Sequence, residues 1–437
     1  MSEITINNIL ASGFLVIWIL TLLWYQFLKN RWDGGSAIIV TYIIYGIFSL
    51  LTLNNPLFSM AFKPLKIFPY IYLYIMMIIA LSPLIIHHYQ DTSIIENPHT
   101  RVLDFISILL IICTILLLPG IFSDANGGLL SIFTNAAAGK EAYLEQIEKV
   151  EDSGSTIHNL PAIFFNAFID IGIFVFFYYL ILKKKNIFII TGLSLTIVVN
   201  IIIPISQGQR GGVVIGMFTI LGGYMLFKQY LSNKIKHLIR NIGIIAIILV
   251  SLPIILITVS RFGDESASVG GFVNWYVGQG SLYFNNFGLD PGGCRHGDRT
   301  LNLFKRLIDP NTPKNFVERR DKYHNLNIDD NFFTTFVGDF TIDYGPITAV
   351  FIFIIFYFLV IRLTKERGDT IKLYQLLLLY FTLCISLQGG MTLFSYSDIG
   401  GNLRLLNYIL LYIYLRYHEQ LILKFPLKIK KRTTAKL

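Results

Sequence analysis

"ILASGFLVIWILTLLWYQFL", residues 9–28, runs twenty positions without a charge. As a helix this stretch rises about 30 Å, the thickness of a bilayer's hydrocarbon core. No basic region precedes it and no small-residue cleavage site follows, so it reads as a retained span and not a removable signal. The pattern recurs near residues 36–53, 69–88, 102–121, 161–182, 187–206, 211–228, 242–260, 344–362, 372–389 and 403–423, which gives about eleven spans. In lipid only helices or closed barrels satisfy their own backbone groups, and a barrel would show short alternating strands. The expected fold class is therefore all-α, a polytopic membrane protein.

Composition agrees. Of 437 residues, 54% are apolar and 14% charged, and a mean hydropathy of +0.60 is far more than a water-soluble core needs. Cys113 and Cys384 fall inside apolar runs, which leaves Cys294 without an evident extramembrane partner, so the sequence supports no disulfide framework.

Basic residues cluster at Lys29 and Arg31, Lys183 to Lys185, Lys228 to Arg240, Arg362 to Lys372, and in the tail after Lys424. Every second connection is thus basic. Cytoplasmic loops retain Lys and Arg, so the amino terminus is expected outside and the carboxyl terminus inside. The tail "KFPLKIKKRTTAKL" suits an anionic membrane surface and calls for no nucleic acid.

This topology divides the chain into spans over 1–260 with an outer loop near 123–160, a large outer loop over 261–343, and spans with a basic tail over 344–437. In the first loop, Tyr143, Leu144, Ile147 and Val150 recur at helical spacing and could rest on the membrane surface. The loop 261–343 is too long for a connector. Its "FVNWYVGQGSLYFNNFGLD" is aromatic enough to pack and its "LNLFKRLI" has helical apolar spacing, so a folded cap is expected.

The cap contains "GLDPGGCRHGDRT", residues 288–300. Topology puts Arg210, Arg261, Arg295, Arg299, Arg306, Arg319, Arg320 and Arg404 on one side. Guanidinium groups offer a planar fork matched to phosphate oxygens, so a convergent set can hold a diphosphate without a metal. The alternative is that these arginines pair with acids such as Asp298, Asp321 and Asp330 and hold the loop together. Arg210, in the glycine-rich "SQGQRGG" at a membrane boundary with no acid nearby in sequence, favours a ligand more strongly. Glycines 288, 292, 293 and 297 allow close backbone approach, though they also make ordinary turns and match no P-loop.

Candidate proton acceptors are His296, Asp298, His324, Asp339 and Asp343, and nothing in the sequence chooses among them. Asp339 and Asp343, in "GDFTIDYG" just before a span, could instead cap a helix. Trp275, Tyr276 and Tyr283 could stack on sugar rings or anchor at the membrane interface. The chain holds no Asp-x-Asp pair, and His87, His88, Asp91 and His99 lack ligand spacing, so no metal and no other cofactor is expected.

"YVGQGSLYFNNFGLD" before the Gly/Arg run, then "NFFTTFVGDFTIDYGPITAVFIFIIF" leading into the next span, resembles the Wzy-type O-antigen polymerases, the oligosaccharide repeat unit polymerases. "SQGQRGG" resembles the arginine turn of that family, and the similarity is clearest from Ser206 to Phe356. The resemblance implies a fold like that of lipid-sugar-dependent membrane glycosyltransferases. It further implies a multi-pass protein of the bacterial inner membrane with its active site facing the periplasm. Donor and acceptor would be glycans on undecaprenyl pyrophosphate, polymerised without metal into O-antigen or capsular polysaccharide, with a chain-length regulator as a further partner. An O-antigen ligase would share these features. A lipid-linked sugar flippase or other transporter would also have many spans, but usually places ionisable groups or broken helices at the midplane.

Overall fold

The computed structural model describes residues 3–30, 32–86, 92, 94–96, 101–134, 160–182, 186–207, 209–262, 269–328, 330–365 and 369–424. The His87, His88, Asp91 and His99 group, the stretch 135–159 and the tail after Lys424 lie outside the described residues.

The long helices are α1 (Glu3–Lys29), α2 (Gly34–Leu53), α3 (Ile67–Ile86), α4 (Arg101–Thr134), α5 (Leu160–Ile181), α6 (Ile187–Ser206), α7 (Arg210–Phe227) and α8 (Asn233–Phe262). Then come α9 (Val269–Tyr283), the short α10 (Asn302–Arg306) and α11 (Phe316–Lys322), and α12 (Thr335–Tyr344). The chain closes with α13 (Pro346–Leu363), α14 (Leu373–Gly389) and α15 (Asp398–Lys424). Among the described residues, nine helices, α1 to α8 and α13, are long and apolar enough to cross a membrane. The two other expected spans are helices as well; α14 is apolar but has only 17 residues. The chain is thus a polytopic helical membrane protein. The expected break after residue 121 is absent, because α4 runs on to Thr134.

Lipid explains the surface. On α8, Ile242, Ile245, Leu249 and Leu252 each stand more than half exposed, a stripe that water would penalise and hydrocarbon does not. The interior is organised around α14, where 15 of 17 residues are buried. It touches α2, α3, α7, α13 and α15. Its carbonyls at Ser386 and Leu387 accept hydrogen bonds from the Tyr42 and Tyr45 hydroxyls of α2 at 2.9 and 3.1 Å.

Local chemistry sets several boundaries. Asp33 caps α2, its Oδ1 accepting from the Ser36 amide at 3.0 Å while its Oδ2 accepts from the Tyr25 hydroxyl at 2.7 Å. Between α12 and α13, Gly345 takes a φ of +81°, which favours glycine, and Pro346 then starts the next helix. This tight joint keeps Asp343 within three residues of a membrane-length helix.

The described part of the segment 261–343 is built of helices and turns, and its first helix packs against the bundle. Helix α9 lies along the last two turns of α2 with small residues at the contact. A Cβ on Gly278 would come within 2.4 Å of the Phe48 backbone, and the Ser281 and Ser49 hydroxyls are 3.0 Å apart. A five-residue π-helical turn, Phe284–Gly288, prolongs α9. The spacing in "LNLFKRLI" does produce a helix, although α10 is only five residues long. Elsewhere two parallel three-residue strands, Ile94–Glu96 and Thr370–Lys372, join the α3–α4 and α13–α14 connections.

Candidate functional site

The turn 288–300 docks on the face of α12. Its backbone is held by the Arg295 amide donating to the Ile342 carbonyl at 3.0 Å and by the Asp398 amide donating to the Arg299 carbonyl at 2.9 Å. Gly292 and Gly297 take positive φ, and so does His296 between them. At Gly297 a Cβ would press on the Tyr344 hydroxyl at 2.9 Å. The glycines therefore let the turn sink far enough to bury Arg295 and Arg299, which are 3% and 8% exposed.

Asp339 and Asp343 are four residues apart and so share one face of α12. Both are fully buried. Neither caps a helix, since Thr334 is the N-cap of α12 and Gly345 that of α13. Arg295 reaches three carboxylates: Asp330, Asp339 at 3.0 Å, and Asp343, whose Oδ1 is 2.7 Å from Nε. Arg299 Nη1 lies 2.5 Å from both Asp339 oxygens, and its Nε is 3.7 Å from Asp398. Arg319 closes the lattice by binding Asp330 and Asp398, each at 2.5 Å. Asp339 also accepts from the Phe394 amide at 2.5 Å, and Asp343 from the Thr300 amide and hydroxyl at 2.8 and 2.7 Å.

The expected cation cluster is thus an ion-pair lattice. Among the described residues it holds three guanidiniums and four carboxylates. Pairing of the arginines with acids, the alternative reading of the sequence, applies to Arg295, Arg299 and Arg319. A second group lies alongside, where Asp298 is ion-paired with Lys305 and, at 2.7 Å, with Lys322, and accepts from the Tyr323 hydroxyl.

Burial alone would raise the carboxyl pKa values here and lower those of the arginines. For Asp330, Arg295, Arg299 and Arg319 outweigh burial and hold the carboxyl at about 2. At Asp298, burial is likewise opposed by the bonds from Lys305, Lys322 and Tyr323, and the carboxyl falls below its usual value. Burial wins at Asp339, which is raised despite Arg299 and Arg295, with Asp343 and Asp330 adding to the rise. For Arg295 and Arg299 the surrounding carboxylates overcome burial and raise the guanidinium pKa further.

Below the lattice is a cavity of about 340 Å³ between α12, α13, α14 and α15. Its walls are apolar, with Phe340, Phe353, Phe356 and Leu405 among them. Thr300 and Tyr344 line it too, and their hydroxyls are 2.8 Å apart. Thr300 therefore belongs both to the cavity wall and, through Asp343, to the lattice.

The other expected residues are placed apart from this centre. Arg210 is the first residue of α7, buried, with its guanidinium carbon 4.7 Å from the centre of the Tyr276 ring. Tyr276 in turn meets Phe333, three residues from Asp330. Arg404 donates to the Asn166 carbonyl of α5 at 2.7 Å. Arg261 is near the end of α8, and its side chain is outside the described residues. Trp275 stacks on Phe58, and Tyr283 is buried among Phe62, Phe287 and Phe332. His296 and His324 are exposed.

Sequence reasoning missed Asp398, Thr300 and Tyr344. Asp398 could have been noticed as an acid opening the last apolar run, in "SYSDIGGN". Thr300 and Tyr344 carried no signal, because only the fold joins them. Arg319 and its neighbour Arg320 were indistinguishable in sequence; the first is 2% exposed and the second lies on the outside of α11. Among the described residues no cluster of His, Cys, Asp and Glu could hold a metal ion. Comparison with known protein families, with curated proteins and with solved structures gave no match.

Proposed function

We propose that the chain is a membrane glycosyltransferase that polymerises undecaprenyl-pyrophosphate-linked oligosaccharide repeat units at the outer face of the bacterial inner membrane. The observation that carries this reading is the contact between the lattice and the apolar cavity through Thr300. A charged, hydrogen-bonding centre beside an apolar slot at the start of a membrane-length helix suits an amphiphile with a polar head and a hydrocarbon tail. The resemblance read from the sequence supplies the class of that amphiphile.

In the reaction, a hydroxyl at the nonreducing end of the acceptor glycan attacks the anomeric carbon of the donor. The bond from that carbon to the diphosphate oxygen breaks and its electron pair leaves with the diphosphate. The hydroxyl proton needs an acceptor, and we assign it to Asp339, a lattice carboxyl whose pKa burial raises. Protonation of Asp339 removes one negative charge from the lattice. The described lattice, with four carboxylates to three guanidiniums, then reaches charge balance, and Arg295 and Arg299, released from the Asp339 charge, meet the diphosphate oxygens as these gain negative charge, which lowers the barrier. Arg210 and Arg404, which lie apart from the lattice, meet other polar parts of the lipid-linked substrates in this reading, and Tyr276 positions Arg210. Donor, acceptor and membrane lipid are the partners, with a chain-length regulator as an additional one.

A second reading, a lipid-linked sugar transporter, is favoured by Asp170. This carboxylate sits midway along α5, 6% exposed, and accepts from the Tyr396 hydroxyl at 3.0 Å. One experiment separates the two. Purified protein is incubated with a defined undecaprenyl-pyrophosphate oligosaccharide without divalent metal, and the products are sized. A ladder of longer glycans with release of undecaprenyl pyrophosphate supports the polymerase, and its loss in Asp339→Asn and Arg210→Lys supports their roles. Unchanged glycan length, with the same substrate crossing the bilayer in proteoliposomes, sinks it in favour of transport.

A further inference from the structure

Helix α14 joins two polar regions. Its carboxyl-terminal end leads to Phe394 and the Asp339 lattice, while its amino-terminal end, about 25 Å away along the helix, opens on a different cavity. This second cavity has a volume of about 660 Å³, and its described lining includes Arg362, Lys365, Lys372 and Arg416 against a single acid, Glu96. The four cations come from three separate parts of the chain: the end of α13 and the residues after it, the strand leading into α14, and α15.

Basic residues at the end of a membrane bundle are ordinary, and positive charge in short loops by itself specifies nothing. Three features go further. The parallel pairing of Glu96 with Lys372 fixes the rim, and buried Gln375 ties that rim down, its Nε2 donating to the Lys365 carbonyl at 2.8 Å and its Oε1 accepting from the Lys372 amide at 2.9 Å. The Arg416 guanidinium is held in place by donation to the Tyr412 hydroxyl at 2.7 Å and by the rings of Tyr417, Tyr412 and Tyr374 at 5.2, 5.8 and 6.0 Å. Among the described residues, the one ion pair at this cavity is Lys372 with Glu96 at 3.4 Å. The lattice at the opposite end has more carboxylates than guanidiniums; this cavity has the reverse.

We propose that the cavity binds a phosphate group, carried either by the headgroup of an anionic phospholipid or by a soluble phosphate compound. Arg362 and Arg416 supply planar forks for its oxygens, Lys365 and Lys372 add charge, and the volume admits a group larger than a single ion. Glu96 opposes the ligand, so it sets the affinity. The inference does not depend on the glycosyltransferase reading.

The test uses the full chain. Native mass spectrometry counts phosphatidylglycerol retained after extraction from nanodiscs, with phosphatidylcholine as the neutral comparison, and calorimetry measures inorganic pyrophosphate binding in detergent. The double variant Arg362→Gln/Arg416→Gln is expected to weaken the bound species by about tenfold or more, whereas Glu96→Gln is expected to tighten it. Opposite responses of the two variants cannot come from loss of fold. Retention of phosphatidylglycerol with no pyrophosphate binding identifies a lipid headgroup, and pyrophosphate binding without lipid retention identifies a soluble ligand. Failure of both probes, or binding that ignores the double variant, overturns the proposal.

Discussion

Helix α14 and the turn carrying Arg295 are both buried, but they are held by different physics. Helix α14 is held through its own apolar side chains, such as Leu376, Leu379 and Leu383, none of them exposed, with isolated hydroxyl bonds such as those from Tyr42 and Tyr45. Around Arg295 the partners are the carboxylates Asp330, Asp339 and Asp343. Apolar contacts are many and individually weak, so the loss of one leaves the others intact. In the lattice each charge answers several others, and removing one exposes the rest to an environment that cannot solvate them.

The two regions should therefore respond differently to substitution. Arg295→Ala leaves buried Asp339 and Asp343 and partly buried Asp330 short of a cation and is expected to cost about 3–5 kcal/mol, read as a fall in melting temperature of the purified protein. Asp339→Asn should cost clearly less, because the described lattice already has one carboxylate in excess. A larger loss for Asp339→Asn than for Arg295→Ala would break the charge account.

Acid distinguishes two carboxylates within the lattice. The pKa of Asp330 is lowered from 3.8 to about 2, so its stabilising effect is full above the unfolded value and is lost as pH falls toward the folded one. That loss is on the order of 2 kcal/mol. Asp339 is raised by burial and has the opposite sign, since its contribution favours the fold at low pH and fades as pH rises through its folded pKa. Melting curves between roughly pH 4 and about pH 2 should flatten in Asp330→Asn, and equal flattening in Asp339→Asn would contradict this assignment. The smallest effect belongs to the apolar region. Leu376→Met, which conserves volume, should cost less than about 1.5 kcal/mol, and a cost like that of Arg295→Ala would erase the contrast.

The same contrast explains what could be read from the sequence. Spans such as residues 9–28 are local facts, since one uncharged run and one bilayer thickness determine them. Helix α9 lies within the loop 261–343, whose aromatic "FVNWYVGQGSLYFNNFGLD" predicts packing but not the partner it packs on. Only the glycine and serine face that fits against Phe48 and Ser49 places it along α2. In the site, Arg295, Arg299, Asp339 and Asp343 were legible as residue types suited to diphosphate chemistry. Their mutual pairing was not, because it joins positions about 40 residues apart and depends on Gly292 and Gly297 letting the turn approach α12. Asp398, about 100 residues beyond Arg299, could be recruited only by the fold.

The central claim is that one lipid-linked molecule occupies the edge of the lattice and the apolar cavity at once. Photo-crosslinking with an undecaprenyl pyrophosphate analogue bearing the reactive group near the head of its chain, followed by peptide mapping, tests this directly. The account predicts label on the cavity-facing residues of α13 and α15, such as Ile352, Phe356 and Leu405, with competition by unlabelled undecaprenyl pyrophosphate. Label distributed over the lipid-facing surface of α8, or cavity label that the competitor leaves unchanged, would contradict it.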